Sequence, residues 1–371
     1  MRIQDLKIAL IGPLPPPSGG MANQTRQLAE LLGLEGVSVE LVQVNAPYRP
    51  RWVGHIKGLR AAFRMLPYLI HLWRAAGKAD LFHVMANSGW SWHLYATPAI
   101  WIANFKKIPV VVNYHGGEAG DFLARALRWV KPSLARTDEL VVPSGFLKEV
   151  FARFGFAATV VPNVINLSRF SPKLPSPDNA SELHILVARN LEPIYDNTSA
   201  LRAFRIVKDQ LPNARLTIAG SGPERAALEG LARILNIDAA VHFTGRVDNE
   251  RMPELYRSAD VMINASLADN MPVSILEALA SGVPIVSTNV GGVPFLVEDG
   301  RTALLVPPGD PQAMAQALIQ VLTTPDLARR LSEAGLASAR QYTWQCVRER
   351  LFSVYGQLCT IETAQTAAES T

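Results

Sequence analysis

Short apolar runs alternate with longer segments of helical periodicity along the whole chain. Neighbouring parallel strands need a crossover connection, usually a helix, so this alternation is typical of parallel sheets. The runs fall at residues 7–14, 37–44, 81–86, 110–114, 139–143 and 159–162, and then at 184–188, 215–219, 241–244, 261–264, 285–288 and 303–306. Two groups of six predict two doubly wound α/β domains with helices on both faces of each sheet.

A proline-rich segment separates the two groups of runs. Residues 171–180 contain three prolines and little apolar content, which is typical of a linker. We therefore expect an N-terminal domain over residues 1–170, the linker at 171–180, and a C-terminal domain over 181–345. Residues 346–371 should form a C-terminal helix that packs back towards the first domain, followed by a frayed tail.

Composition restricts the class of protein. Hydrophobic residues make up 49% of the chain and charged residues 18%, which excludes a disordered protein. The two cysteines, Cys346 and Cys359, are too few and too late for a disulfide framework or a metal site. No stretch reaches the ~18–20 apolar residues of a membrane span. We expect a cytoplasmic protein whose contact with the inner membrane, at its cytoplasmic face, is peripheral.

Two strand ends in the first half carry candidate ligand contacts. Gly19 and Gly20 follow the first strand and precede a helical pattern, where free amides can hold a phosphate or a sugar hydroxyl. His115 follows the fourth strand and precedes two glycines that let the backbone approach a ligand. Ligands of doubly wound folds bind at the carboxyl ends of the strands. The alternatives are a proline-stiffened turn and a structural histidine.

Strand ends in the second half carry further candidate residues for ligand contact. Arg189 follows the first strand of this half, and its guanidinium can fork onto a diphosphate. Gly220 and the pair Gly245 and Arg246 follow the next two strands as turn residues at the same edge. No G-x-G-x-x-G dinucleotide fingerprint is present, which disfavours a nicotinamide-dependent dehydrogenase.

Two carboxylates flank the start of another predicted helix. Asp269 precedes that helix, which should begin near Pro272, and Glu277 lies inside it. Amides at the helix start could bind a diphosphate, while the carboxylates accept hydrogen bonds from sugar and ribose hydroxyls. The alternative makes Asp269 a capping residue and Glu277 a solvated helix residue.

With these residues in place, the chain resembles the retaining glycosyltransferases of family four. Their GT-B fold has two Rossmann-like domains facing across a cleft, and their motif has two acidic residues separated by seven positions. Asp269 and Glu277 match the motif, and the turns at residues 280–284 and 288–294 are similar as well. The resemblance implies a hexosyltransferase that moves a sugar from a UDP- or GDP-sugar to a glycan or lipid-linked acceptor, in cell-envelope or exopolysaccharide synthesis.

The resemblance also implies roles for individual residues. Glu277 would hold the ribose, Asp269 the transferred sugar, and Arg189 the diphosphate, while His115 would face the sugar and the acceptor. Reaction would proceed with retention at the anomeric carbon, without a metal and without a cofactor. The remaining donor-side residues are Gly19, Gly20, Gly220, Gly245, Arg246, Asn270, Met271, Pro272, Val273 and Ser274.

The chain departs from the family pattern at two places. Asp269 stands where the family has glutamate, and no lysine occurs within residues 190–197, where the family places a Lys-Gly pair after the arginine. A positive charge on the leaving diphosphate is therefore missing. Two alternatives stay open: a non-catalytic sugar-nucleotide-binding subunit and a GT-B-fold sugar-nucleotide epimerase.

Positive charge is concentrated in the first half. Residues 41–117 contain nine bases and one acid, whereas the whole chain has a net charge of only +4. On a helix over residues 57–78, Lys57, Arg60 and Arg64 share one side and lie next to an apolar side. This pattern is typical of interfacial helices, so we expect contact with an anionic membrane surface near a lipid-linked acceptor. The alternative packs the apolar side on the sheet. No motif indicates a nucleic-acid partner.

Overall fold

Two parallel six-stranded sheets organise the chain. The computed structural model describes residues 2–16, 19–48, 56, 59–172 and 182–359. One unit comprises Met1–Asn163 together with the C-terminal segment from Val347, and the other comprises Val164–Cys346. Most of the expected linker, at residues 173–180, and the expected frayed tail lie outside the described residues.

The first sheet has the strand order β2-β1-β3-β4-β5-β6. Its strands are β1 (Lys7–Gly12), β2 (Ser38–Gln43), β3 (Leu81–Ala86), β4 (Val110–Tyr114), β5 (Glu139–Val142) and β6 (Thr159–Val160). Its helices are α1 (Gly20–Leu34), α2 (Leu59–Ala75), α3 (Thr97–Lys106), α4 (Ala119–Leu134) and α5 (Gly145–Arg153). Every residue of β3 and β4 is buried, as expected of central strands with helices on both faces.

The second sheet has the strand order β12-β11-β10-β7-β8-β9. Its strands are β7 (Leu183–Val187), β8 (Ala214–Ala219), β9 (Val241–Gly245), β10 (Val261–Asn264), β11 (Ile285–Thr288) and β12 (Leu304–Val306). Its helices are α6 (Asn197–Gln210), α7 (Arg225–Ile234), α8 (Met252–Arg257), α9 (Val273–Ala280), α10 (Pro311–Thr323) and α11 (Pro325–Ala339), and α12 (Trp344–Cys359) follows them. All twelve predicted strands and the doubly wound α/β fold are confirmed.

The boundary between the units falls at Asn163, before the expected residue 170. Ile165 and Phe170 are buried in the core of the second unit, so their apolar side chains draw the chain into that unit. The backbone amide of Ile165 also donates a 2.9 Å hydrogen bond to the carbonyl of Tyr342.

From Val347 onward, the C-terminal helix α12 packs within the first unit. The hydroxyl of Tyr355 lies 2.8 Å from Nδ1 of His83 on β3, and both residues are buried. Arg348 pairs with Glu35 at 3.0 Å, just beyond the end of α1. No helix in the described ranges combines the length and the apolar content that crossing a membrane requires.

Candidate functional site

The strand order of the second sheet reverses between β7 and β10. The chain runs from β7 through β8 to β9 on one side and then returns to place β10 on the other side of β7. Such a reversal opens a crevice at the carboxyl ends of the two strands, where ligands of this fold class bind. Arg189 follows β7 and Asp269 follows β10, so the topology brings these two predicted site residues together.

Arg189 and Asp269 form a largely buried ion pair. Nη2 of Arg189 donates to Oδ2 of Asp269 and, over 3.1 Å, to Oγ of Ser266. The two side chains are only 11% and 13% exposed, so little water screens their attraction. Nε of Arg189 is buried and has no hydrogen-bond partner among the described residues. The guanidinium therefore retains a donor that an anionic ligand could use.

An aromatic ring supports the guanidinium of Arg189. Its Cζ lies 4.0 Å from the ring centroid of Tyr195, within the range of a cation–π interaction. Tyr195 ends a short 3₁₀ turn, Pro193–Tyr195, in the segment where the family lysine is absent. Tyr195 was not among the predicted site residues. The only sequence feature that could have indicated a role for Tyr195 was its position six residues after Arg189, where the family lysine would stand.

Glycines bring the loops around the ion pair into close backbone contact. A Cβ atom at Gly220 would collide with the carbonyl group of Arg189, and one at Gly291 would collide with the carbonyl group of Asp269. Gly291 also has a φ of 51°, a left-handed conformation that favours glycine. Gly220 thus supports the backbone of Arg189, while its contact with a donor stays a prediction.

The helix α9 begins beside Arg189. Pro272 occupies the N-cap position and Val273 begins the helix, so Asp269 is not the capping residue. Asn270, Met271 and Ser274 are buried there. The end of a helix with free amides carries partial positive charge, which adds to the charge of Arg189. The predicted helix-start residues therefore lie where an anion would be attracted.

Glu277 lies one turn further along α9 and is partly buried rather than a fully solvated helix residue. Its Oε2 accepts a 2.9 Å hydrogen bond from the hydroxyl of Tyr256 on α8. Burial raises the pKa of the Glu277 carboxyl to about 7, although the hydrogen bond from Tyr256 opposes that shift. Tyr256 is fully buried, and burial raises the pKa of its hydroxyl as well. A carboxylate with this environment can accept hydrogen bonds from a diol.

The turn formed by Gly245 and Arg246 lies further away in the sheet. Gly245 ends β9, which is the edge strand and is separated from β7 by β8. Gly245 has a φ of 70°, so the turn requires the left-handed conformation, and Arg246 is exposed. The structure therefore does not bring these two residues to the Arg189 ion pair, and their contact with a base stays a prediction.

The first unit carries its own predicted residues. The amide of His115 donates a 2.9 Å hydrogen bond to the carbonyl of Ala86 at the end of β3. Burial lowers the pKa of His115 to about 4, so its imidazole is neutral at pH 7, and its buried Nε2 has no partner in the described part of the chain. Gly19 caps α1, and an added Cβ at Gly19 or Gly20 would meet no atom within 4 Å.

The predicted basic residues of the first unit are only partly described. Lys57 lies outside the described residues, and Arg60 lies on α2 without a described side chain. The guanidinium of Arg64 lies 4.2 Å from the ring centroid of Tyr48. Within the described ranges, no cluster of three His, Cys, Asp or Glu side chains could hold a metal ion.

Two family models match the chain, one in each half. The model for Glycosyltransferase Family 4 matches residues 18–169, and the model for Glycosyl transferases group 1 matches residues 174–337. A D-inositol 3-phosphate glycosyltransferase of Streptomyces scabiei is 34% identical over 53% of this chain and 48% of its own length. The chain thus spans about half of the length of that curated relative.

Other proteins resemble the chain over nearly its whole length. A phosphatidyl-myo-inositol mannosyltransferase of Mycobacterium leprae is 24% identical over 92% of this chain and 94% of its own length. Anabaena HepE, solved in complex with UDP and glucose, superimposes with a TM-score of 0.75 at 17% identity, over 95% of this chain and 100% of that one. The structural likeness confirms the GT-B fold.

Proposed function

The chain belongs to glycosyltransferase family 4, and on this premise we propose that it transfers a sugar from a nucleotide-diphosphate sugar to a glycan or lipid-linked acceptor. The observation that carries the proposal is the site around Arg189. A charged donor with an unpaired Nε lies beside the start of α9, and two carboxylates lie within the same loop and helix. This arrangement suits a ligand with a diphosphate and several hydroxyl groups.

Arg189 is the group that would stabilise the departing nucleotide diphosphate. As the bond between the anomeric carbon and the diphosphate oxygen breaks, negative charge accumulates on that oxygen. A guanidinium with 11% exposure, and the positive end of α9, offset this charge without the aid of a metal ion. We propose that the acceptor hydroxyl attacks the same face and loses its proton to the leaving diphosphate, which retains the anomeric configuration.

The two carboxylates would bind different parts of the donor. Asp269 would accept hydrogen bonds from hydroxyls of the transferred hexose while it holds Arg189 in place. Glu277 would accept hydrogen bonds from the ribose diol, and Tyr256 would orient its carboxylate. His115, which is neutral at pH 7, could donate to or accept from a sugar hydroxyl but could not supply a positive charge.

Donor and acceptor are proposed by chemical class. Anabaena HepE is bound to UDP and glucose, which favours UDP over GDP as the nucleotide carrier here. The relative from Mycobacterium leprae is a mannosyltransferase for phosphatidyl-myo-inositol, which favours a lipid-linked acceptor. Together they support a place in cell-envelope or exopolysaccharide synthesis.

Tyr195 is proposed to compensate in part for the missing lysine by positioning Arg189. Replacing Tyr195 by alanine should lower kcat/KM by about five- to ten-fold, because the guanidinium loses the ring on which it stacks. The loss should fall mainly on kcat, since the diphosphate gains most charge in the transition state. Tyr195→Phe keeps the ring and should stay close to wild type; an equal loss in both variants would contradict the stacking role.

The proposed function is tested by a thermal-shift panel of UDP-, GDP- and ADP-sugars, with released nucleotide measured in the same samples. A donor present at 100-fold over its Kd should stabilise the protein by ~2.7 kcal/mol. Slow release of one nucleotide, abolished in Glu277→Ala, would support the transferase. Binding in which the sugar is altered but no nucleotide is released would favour the epimerase. Binding with neither an altered sugar nor released nucleotide, even when an extract of acceptor lipids is added, would favour the non-catalytic binding subunit. No shift with any nucleotide would refute donor binding.

A further inference from the structure

The apolar side of α2 predicted from the sequence, which includes Phe63, Leu66, Ile70 and Trp73, does not pack on the sheet. Leu66 and Trp73 on this side are 64% and 48% exposed. The residues that pack in the core are instead Tyr68, Leu72 and Ala75. Each of these follows the exposed stripe by two positions, which is about 200° around a helix, so the two stripes lie on opposite sides. One apolar side of α2 is therefore left facing solvent.

The exposed side of α2 continues onto α3 and towards α4, where Trp129 precedes Arg136 by seven residues, about two helical turns, and so lies on the same side as Arg136. The rings of Trp73 and Phe105 lie 5.7 Å apart, and Trp101 precedes Phe105 by one helical turn. The guanidinium of Arg136, just after α4, covers the ring of Trp101 at 4.1 Å. We define the aromatic face as the exposed side chains that these helices share: Leu66, Ile70, Trp73, Trp101, Phe105 and Trp129.

The charged side chains that lie over the rings of the aromatic face are cations, while the nearest acid to α2 is Glu40 of β2, 3.4 Å from Nε2 of His71. Nζ of Lys106 lies 4.0 Å from the ring centroid of Trp73, and Cζ of Arg128 lies 4.8 Å from that of Trp129. The sequences of α2 and α3 contain no aspartate or glutamate, and the only acid in α4 is Asp121 in its first turn. An occupant that is both apolar and anionic is therefore the best chemical match to this face.

We propose that the aromatic face docks the first unit on an anionic lipid bilayer. Tryptophan and phenylalanine side chains insert at the boundary between headgroups and acyl chains, and neighbouring lysines and arginines bind the phosphates of the headgroups. A second copy of the chain fits less well, because a two-fold contact would set the cations of one copy against those of the other. Membrane contact thus uses aromatic insertion rather than the basic side of α2 alone.

Vesicle co-sedimentation of the full-length protein tests this inference without reference to catalysis. The protein should bind vesicles of phosphatidylcholine mixed with phosphatidylglycerol and bind vesicles of phosphatidylcholine alone much more weakly. Binding to the mixed vesicles should weaken by at least about ten-fold in the double variant Phe105→Ser/Trp129→Ser. Both side chains are well exposed, at 73% and 63%, so the fold should tolerate the changes. Tryptophan emission should shift to the blue on binding.

The matched control is Leu34→Ser/Ile234→Ser, which removes two apolar side chains that are 83% and 77% exposed outside the aromatic face. This control should bind like wild type. Absence of binding to mixed vesicles, or equal binding by the two double variants, would overturn the proposal. A concentration-dependent dimer that disappears in Phe105→Ser/Trp129→Ser would also overturn it, in favour of self-association. These results do not depend on nucleotide binding, so they can be told apart from failure of the proposed transferase function.

Discussion

Replacing Arg189 by alanine should lower kcat/KM by about 10²–10³-fold, the loss expected when a preorganised donor to a developing negative charge is removed. Arg189 is nearly buried and donates hydrogen bonds to Asp269, Ser266 and Ser274, so its orientation is set before the donor binds. Its unpaired Nε is the donor that we expect to reach the diphosphate. The loss should appear in steady-state kinetics with the donor found in the nucleotide panel.

Removal of Arg189 also leaves Asp269 as an unpaired and poorly solvated charge, so stability must be measured alongside activity. Arg189→Lys keeps the charge but loses the planar fork and should recover only part of the activity. Arg215→Ala is the matched control, because Arg215 pairs with Glu182 at 2.7 Å in the same unit on a more exposed surface. That change should alter kcat/KM by less than about three-fold, which is the order of magnitude expected when a surface ion pair is lost. Should Arg189→Ala behave like Arg215→Ala, the diphosphate role is wrong.

Glu277→Gln should have two effects of opposite sign. The unliganded variant should be more stable than wild type at pH 8, yet it should gain far less stability from the donor. The carboxyl has a pKa of about 7 in the folded protein against 4.5 as its ordinary value. Because the folded pKa is raised, the protonated carboxyl contributes its full stability below pH 4.5, and this contribution is lost as the pH rises through 7.

The size of the stabilisation at pH 8 follows from the raised pKa of the Glu277 carboxyl. Each pKa unit corresponds to ~1.4 kcal/mol, so ionised Glu277 should lower the free energy of unfolding by on the order of 3 kcal/mol at pH 8. Urea denaturation should therefore separate Glu277→Gln from wild type at pH 8 and much less at pH 5. The second effect, measured by calorimetry with UDP, should be a weakening of about ten-fold or more, because a neutral amide is a poorer acceptor for the ribose diol.

An exposed carboxylate provides the control. Glu229 pairs with Arg225 at 2.8 Å on α7 and is 38% exposed, so Glu229→Gln should change neither UDP binding nor the pH dependence of unfolding appreciably. A Glu277→Gln variant that binds UDP as tightly as wild type would contradict the ribose role. One that is destabilised at pH 8 would contradict the raised pKa.

Much of the fold could be predicted because its signals are local. The apolar runs of β3, β4, β10 and β11 coincide with the predicted strands, since a central parallel strand is buried on both faces and must be apolar throughout. The placement of Arg189 and Asp269 after the ends of β7 and β10 was also predictable, while their roles in binding stay predictions. Ligand-binding residues of this fold class follow the carboxyl ends of strands, which the same runs locate.

Contacts between distant segments could not be predicted in this way. Tyr256 and Glu277 belong to different helices, and no periodicity indicates that the hydroxyl of one lies 2.9 Å from the carboxyl of the other. The raised pKa of Glu277 follows from the burial of its carboxyl, which the sequence does not reveal either. The stacking of Tyr195 on Arg189 depends likewise on the path of a short 3₁₀ turn.

The aromatic face separates the features that the sequence predicts from those that only tertiary packing reveals. Periodicity and composition predict that α2 is a helix, which residues share each of its sides, and that bases accompany it. The packing of Tyr68 and Leu72 in the core, with Leu66 and Trp73 facing solvent, became visible only in the folded chain. Both sides are apolar enough to be buried, and the choice depends on which one fits the surface that the neighbouring strands and helices present.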